Sequence, residues 1–195
     1  MKRLTKILLI NWHMFTRTEI EVDRNVLVTG HNGAGKSTLL DAIQYVLTGG
    51  RTKFNLAANE DGARRLEGYV RGKLGIESKE YLREGDVSTH IALQFYDEES
   101  NDSFVLGSII DLPEGGRCIE HFYVFYRSEA LMDLYVSGKN EVRSKRAFEN
   151  ELRHRKIKYD FAQNKTDARR RVTTAFGLNS KYTELIPKAL AFRPI

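Results

Sequence analysis

Gly30, Gly33, Gly35, Lys36 and Ser37 fall in one short run, Thr29-Gly30-His31-Asn32-Gly33-Ala34-Gly35-Lys36-Ser37-Thr38. The spacing Gly30-x-x-x-x-Gly35-Lys36-Ser37 fits the phosphate-binding P-loop pattern. Glycines at these positions let consecutive backbone N–H groups point into one concavity, and a helix that starts there adds its dipole. A lysine at position 36 reaches the β- and γ-phosphates of a nucleoside triphosphate, and the hydroxyl of Ser37 ligates Mg²⁺. The expected contacts therefore run through Gly30, His31, Asn32, Gly33, Ala34, Gly35, Lys36, Ser37 and Thr38, with ATP and Mg²⁺ as cofactors and Ser37 as the metal ligand.

Two elements must position this loop. The apolar run Val26 to Val28 predicts a buried strand before it. Leu39, Leu40, Ile43 and Val46 predict a helix from Ser37 to about Thr48, closed by Gly49-Gly50. Upstream, Leu4 to Ile10 reads as a first strand and Glu19 to Asp23 as a second, half-exposed one. Residues 51–86 are irregular, with a short helix between Ala63 and Leu74 interrupted by Gly68 and Gly72. From 87 to 137 the pattern is β-rich: Val87 to Tyr96, Ser103 to Leu112, Arg117 to Arg127 and Leu131 to Ser137. Short polar turns between them predict an antiparallel meander. Beyond it, Ser144 to Arg155, Thr166 to Phe176 and Lys181 to Ala191 read as helices, with Gly177 as a C-cap and Ser137-Gly138-Lys139 as a hairpin turn. The fold class is α/β, a P-loop NTPase lobe carrying a meander and C-terminal helices.

Charge narrows the partners. The chain of 195 residues has a net charge of +5. The segment Arg143 to Arg171 holds eleven Lys and Arg against four acidic residues, a net of +7. The remainder is slightly acidic, so the basic character is local and faces an anionic partner. Two groups are candidates for the backbone of double-stranded DNA. One is Arg64, Arg65, Arg71 and Lys73. The other comprises Arg153, Arg155, Lys156, Arg169, Arg170 and Arg171. The second group has no aromatic residues at base-stacking spacing, which argues for duplex backbone rather than single-stranded bases. A solvated surface, or one that meets another part of the protein, accounts equally for either group. The single cysteine, Cys118, rules out an internal disulfide and fits a reducing cytoplasm. No run has the length of a membrane helix.

Further residues carry a resemblance. Ile10-Asn11-Trp12-x-x-Phe15, the loop above and Asp41-Ala42-Ile43 resemble the N-terminal head of SMC-type and RecF-type ATPases, whose hallmark is an NGxGKS/T loop closed by a D-A-I helix. Gln44 to Gly50, Phe54-Asn55-x-Ala57-Ala58-Asn59-Glu60, Gly68 to Gly75 and Ile186 to Ile195 are similar to the JetC group, the SMC-like subunits of Wadjet plasmid-defence systems related to MukB, MksB and EptC. The resemblance implies a DNA motor head that pairs with a second copy, with kleisin, KITE and toprim-nuclease partners, in the bacterial cytoplasm and on the nucleoid. It also implies that residues 1–195 are one lobe. In that family a long coiled coil separates the P-loop from the signature and Walker B segments, and none of these three occurs here.

Val105 to Asp111 imitates a Walker B strand, but Leu112 rather than an acid follows, and the strand belongs to the meander. Gln94 and Gln163 lack the glycine of a Q-loop, and His13 stands where many such heads carry a basic residue. His31 occupies a variable loop position, able to face nucleotide, a facing subunit or solvent. Negligible ATPase activity is therefore expected of this chain alone. A repair ATPase of the RecF or RecN kind remains a second reading and a small-molecule P-loop kinase a third, the latter disfavoured by the meander.

Overall fold

A computed structural model describes residues 1–23, 26–51, 54, 66–73 and 80–178. Its frame is a six-stranded, fully antiparallel sheet built from β1 (Lys2–Trp12), β2 (Phe15–Glu21), β3 (Val87–Asp97), β4 (Asp102–Leu112), β5 (Ile119–Tyr126) and β6 (Lys158–Phe161). Their order across the sheet is β2-β1-β3-β4-β5-β6. Side chains alternate between the two faces of a strand, and here both faces are covered. Ile7, Leu9, Ile91 and Leu93 point to one core, while Leu8, Ile10 and Ala92 point to the other. This explains why β1 and β3 read as nearly unbroken apolar runs.

Helix α1 (Lys36–Leu47), helix α2 (Leu66–Arg71) and helix α5 (Lys165–Phe176) cover the first face. The single turn α3 (Met132–Tyr135) and helix α4 (Lys145–His154) cover the second. Both helices are capped by side chains at their starts, and the expected Gly177 cap forms at the end of α5. Ser144 accepts from the Ala147 N–H at the start of α4, and Asn164 accepts from Asp167 N–H at the start of α5. Gly177 ends α5 at φ 62°, a left-handed C-cap. Helix α2 runs through Gly68, expected to interrupt it, and stops at Gly72, φ 70°, as expected.

Three expectations are corrected. Val26 to Val28 form no strand, and the three side chains are 50%, 86% and 42% exposed. Their apolar sequence has no sheet neighbour to pair with among the described residues. Leu131 to Ser137 is not a fourth meander strand but the turn of α3 followed by an isolated bridge between Val136 and Val142. Burying Leu134 and Tyr135 together against α4 favours a helical turn there. Conversely, Lys158–Phe161, within the basic run, is a strand and completes the sheet by pairing with Tyr123 to Tyr126. The predicted helix from Lys181 to Ala191 lies outside the described residues.

Candidate nucleotide-binding site

The P-loop connects directly to α1. Gly30, Gly33 and Gly35 have φ of 153°, 87° and 92°, conformations that favour glycine over any side chain with a Cβ. Gly35 is the N-cap of α1, with no side-chain cap and no acidic residue in the first helical turn. The helix therefore presents its positive end to the loop without a carboxylate to occupy it. His31, Asn32, Gly33 and Ala34 are exposed, Lys36 and Ser37 are half-buried, and Thr38 is buried. The Lys36 ammonium curls back over the loop and donates to the carbonyl oxygens of Gly30 (2.5 Å) and His31 (2.9 Å). Neutral carbonyls are weak partners for a cation compared with a phosphate. Loop, helix end and ammonium thus bring a helix N-terminus without a carboxylate and a cation on neutral partners to one place, the chemistry that a phosphate group takes up.

Several side chains hold α1 in place. Trp12 Nε1 donates to the Thr38 carbonyl (2.9 Å), and Tyr69 Oη donates to the buried carboxylate of Asp41 (2.5 Å). The indole stacks on Tyr69 with centroids 4.5 Å apart, and Tyr45 and Phe54 complete the aromatic cluster. Trp12 and Asp41 are therefore scaffold for the helix that carries Lys36. At its far end, Tyr45 Oη donates to Glu120 (2.6 Å), which also pairs with Lys165 (2.9 Å). Burial, reinforced by the Glu120 charge, pushes the Tyr45 phenol well above its usual range.

The β1–β2 turn leans on the loop. A Cβ on Gly35 would meet Met14 Sδ at 2.8 Å and Phe15 Cζ at 3.0 Å. Sequence reasoning missed what lies behind this turn, Arg83. Its guanidinium donates to Asn11 Oδ1 (3.0 Å), Val70 O (3.1 Å), His13 O (2.9 Å) and Phe15 O (3.2 Å). Burial lowers its pKa to about 10, so it stays charged at neutral pH. No motif surrounds Arg83, and its partners are backbone oxygens distant in sequence, so nothing in the chain order signals it. His13 takes part in the turn through its backbone at φ 48°, with its N–H donating to Tyr69 O (2.6 Å).

The expected DNA contacts divide. Arg64 and Arg65 lie outside the described residues. Arg71, at the end of α2, donates to Gly85 O (3.1 Å) and Arg83 O (3.4 Å) and lies 3.6 Å from Glu67. Lys73 is exposed and bridges to Tyr81. On α5, Arg170 and Arg171 both hold Asp167, at 2.6 and 3.1 Å, and Arg171 also pairs with Asp160 (3.3 Å). These contacts, led by Arg170, keep the Asp167 carboxyl down at about 2. Arg169 is half-buried against Gly49. Arg153 pairs with Glu149, Arg155 pairs with Glu151 and Asp133, and Lys156 is exposed.

The Walker B look-alike is structural. Asp111 accepts from Ser88 Oγ (2.7 Å) and from the Lys145 N–H (3.0 Å), within antiparallel pairings on both sides. Gln94 likewise braces the core, accepting from Ala130 N–H (2.9 Å). Among the described residues, no helix is long and apolar enough to cross a membrane.

Comparison with known proteins agrees with this geometry. Residues 4–61 match the family described as the P-loop containing region of AAA domain. A stretch of 66 residues is 42% identical to the DNA double-strand break repair Rad50 ATPase of Thermoplasma acidophilum, covering 33% of this chain and 7% of that protein. The chain thus spans only a small part of the relative it matches. The N-terminal third of this α/β fold carries a P-loop region similar to that of SMC/Rad50-type ATPases.

Proposed function

We propose that this chain is the ATP-binding N-terminal lobe of an SMC/Rad50-type head. The observation that carries the proposal is the loop itself: three positive-φ glycines, an α1 N-terminus with no side-chain cap and the Lys36 ammonium folded back onto Gly30 O. The loop N–H groups and Lys36 would hold the phosphates, and Ser37 would ligate Mg²⁺, which neutralises charge between the β- and γ-phosphates when bound. The exposed apolar run Val26 to Val28 supports the lobe reading, because strands of a second lobe would give it a sheet to join.

As a whole protein, we read a DNA motor whose two heads close on nucleotide, working on double-stranded DNA in a Wadjet-like plasmid-defence complex with kleisin, KITE and toprim-nuclease partners. That finer reading rests on the sequence resemblance to the JetC group. The identity to a Rad50 ATPase favours a second reading, DNA-break repair. The two separate in cells: defence predicts lower plasmid retention when the gene cluster is present, and repair predicts survival of DNA-breaking agents.

Calorimetric titration of the 195-residue chain with Mg²⁺–ATP tests the site. Wild type should bind, and folded Lys36→Ala should not. Equal affinity in both would overturn the assignment.

A further inference from the structure

Arg83 lies outside the P-loop, yet its hydrogen bonds converge on the turn that touches it. The residue comes from the segment before β3. Its guanidinium bonds Asn11 and the carbonyls of His13 and Phe15 on the β1–β2 hairpin, and the carbonyl of Val70 on α2. Asn11 and His13 both have positive φ, 54° and 48°, an uncommon conformation for residues other than glycine. One planar, charged group holds this turn with three N–H donors and ties it to α2 with a fourth.

Gly72 is adapted to the same contact. A Cβ there would meet His13 O at 2.8 Å and Arg83 Nη1 at 2.9 Å. Leu82 and Arg83 donate their backbone N–H groups to Gly72 and Arg71, holding the Arg83 segment against α2. The turn thus fixed carries Met14 and Phe15 onto Gly35, the N-cap residue next to Lys36. Met14 is 44% exposed, so its position depends on the turn beneath it rather than on burial in the core.

We propose that Arg83 is a positioning residue for the phosphate loop: by clamping the β1–β2 turn it sets the wall against which Gly35 and the start of α1 are held. This rests on the nucleotide-binding reading above. The clamp acts through Met14 and Phe15, and the guanidinium hydrogen bonds go to the hairpin and α2 rather than to residues of the loop. Loss of the guanidinium frees four acceptors and lets the turn relax away from Gly35. Misplacement on the scale of an ångström is enough to cost large factors in interactions that depend on orientation.

The experiment uses the 195-residue chain and four variants: Arg83→Met, Met14→Ala, Phe148→Leu and Lys36→Ala. Phe148 lies in the core on the opposite face of the sheet, so Phe148→Leu controls for general loss of stability. Mg²⁺–ATP affinity is measured by calorimetry at a temperature where each variant is folded, and backbone amide exchange is followed by mass spectrometry. Arg83→Met should weaken ATP binding by about tenfold or more and speed exchange at residues 12–16 and 33–38, with β4 and β5 unchanged. Met14→Ala, which removes an exposed side chain and leaves the clamp intact, should weaken binding by a smaller factor without lowering the melting temperature. Phe148→Leu should lower the melting temperature and leave affinity unchanged. Wild-type affinity in folded Arg83→Met overturns the inference. If Arg83→Met does not fold, wild-type affinity in Met14→Ala overturns it. If wild type fails to bind ATP, or Lys36→Ala binds as well as wild type, the nucleotide reading fails instead.

Discussion

Lys36 and Arg171 are both cations on helices of the same sheet face, and they are held in opposite ways. Lys36 rests on two backbone carbonyls of its own loop, beside a helix end that carries no acid. Arg171 is pinned between the carboxylates of Asp160 and Asp167. Its neighbours in the basic run follow suit: Arg153 and Arg155 pair with Glu149, Glu151 and Asp133. The run from 143 to 171 has a net of +7 with its own four carboxylates already counted, and from outside it Asp133 pairs with Arg155 and Glu120 with Lys165. A single lysine on neutral partners is better prepared for an incoming phosphate than several arginines already on carboxylates. Local charge density and available charge are therefore separate quantities.

The comparison breaks most severely at the backbone of the loop. Gly35→Ala leaves every charge in place but puts a Cβ 2.8 Å from Met14 Sδ, at a φ of 92°. Affinity for Mg²⁺–ATP should fall by roughly 100-fold. Gly33→Ala shares the positive φ, 87°, but meets open space, so its loss should be smaller. If calorimetry shows equal, modest losses, the loop adapts and the cradle is less preorganised than its glycines imply.

Ser37→Ala comes next. The hydroxyl is the expected Mg²⁺ ligand, and its loss should weaken Mg²⁺–ATP binding by about tenfold while ATP titrated with a chelator present binds as before. Equal losses in the two titrations would show that Ser37 supports the loop rather than the metal.

The glycine loop and the helix after it were legible because their requirements are local. Gly30, Gly33, Gly35 and the start of α1 follow one another in the chain, and the glycine spacing states the backbone conformation. Helices α4 and α5 were legible in the same way, and Gly177 marked the end of α5; the N-cap Asn164, one residue before a helix read as starting at Thr166, was not seen. The strands β3, β4 and β5 were legible because polar turns separate long apolar runs. What failed depended on partners remote in sequence. Val26 to Val28 has a strand's composition, but a strand also needs a neighbour. Lys158–Phe161 is only four residues long and sits among cations, and it becomes a strand through pairing with β5. Arg83 acquires its role from carbonyls of the hairpin and α2. The charge imbalance in the run was visible from sequence, but the pairing of Arg155 with Asp133 and of Lys165 with Glu120, both from outside the run, was not.

The proposed DNA contacts are a sharper test of available charge. Arg170 is 76% exposed and Arg171 is 26% exposed. If the run meets duplex backbone, Arg170 has the freer reach and Arg171 must first leave two carboxylates. In the complete protein, Arg170→Glu should lower DNA affinity and reduce the salt slope by about one, and adding Arg171→Glu should change the slope little further, with ATP binding unaffected by either. A second loss as large as the first would show that the carboxylates release Arg171 on binding. No change in affinity, there or with Arg64→Glu and Arg65→Glu, would place the DNA surface elsewhere in the protein.

The smallest effect concerns Asp167, whose carboxyl holds two of these arginines. Arg170 first, then the Gln163 N–H, keep its pKa down at about 2 against an ordinary 3.8, with burial opposing and Arg171 assisting. A folded-state pKa below the unfolded one means the carboxylate stabilises the fold above about pH 4, and that this contribution disappears as pH falls toward 2. Arg170 is largely in water, so its share is screened and the total is modest. Asp167→Asn should lower the melting temperature by about 3 °C at pH 7. The gap between wild type and variant should then close between about pH 4 and pH 2. A gap that stays constant down to pH 2 would mean that Asp167 acts by hydrogen bonding to Gln163 rather than by charge. The arginines of α5 would then be less neutralised than their distances imply, and the contrast with Lys36 would rest on geometry alone.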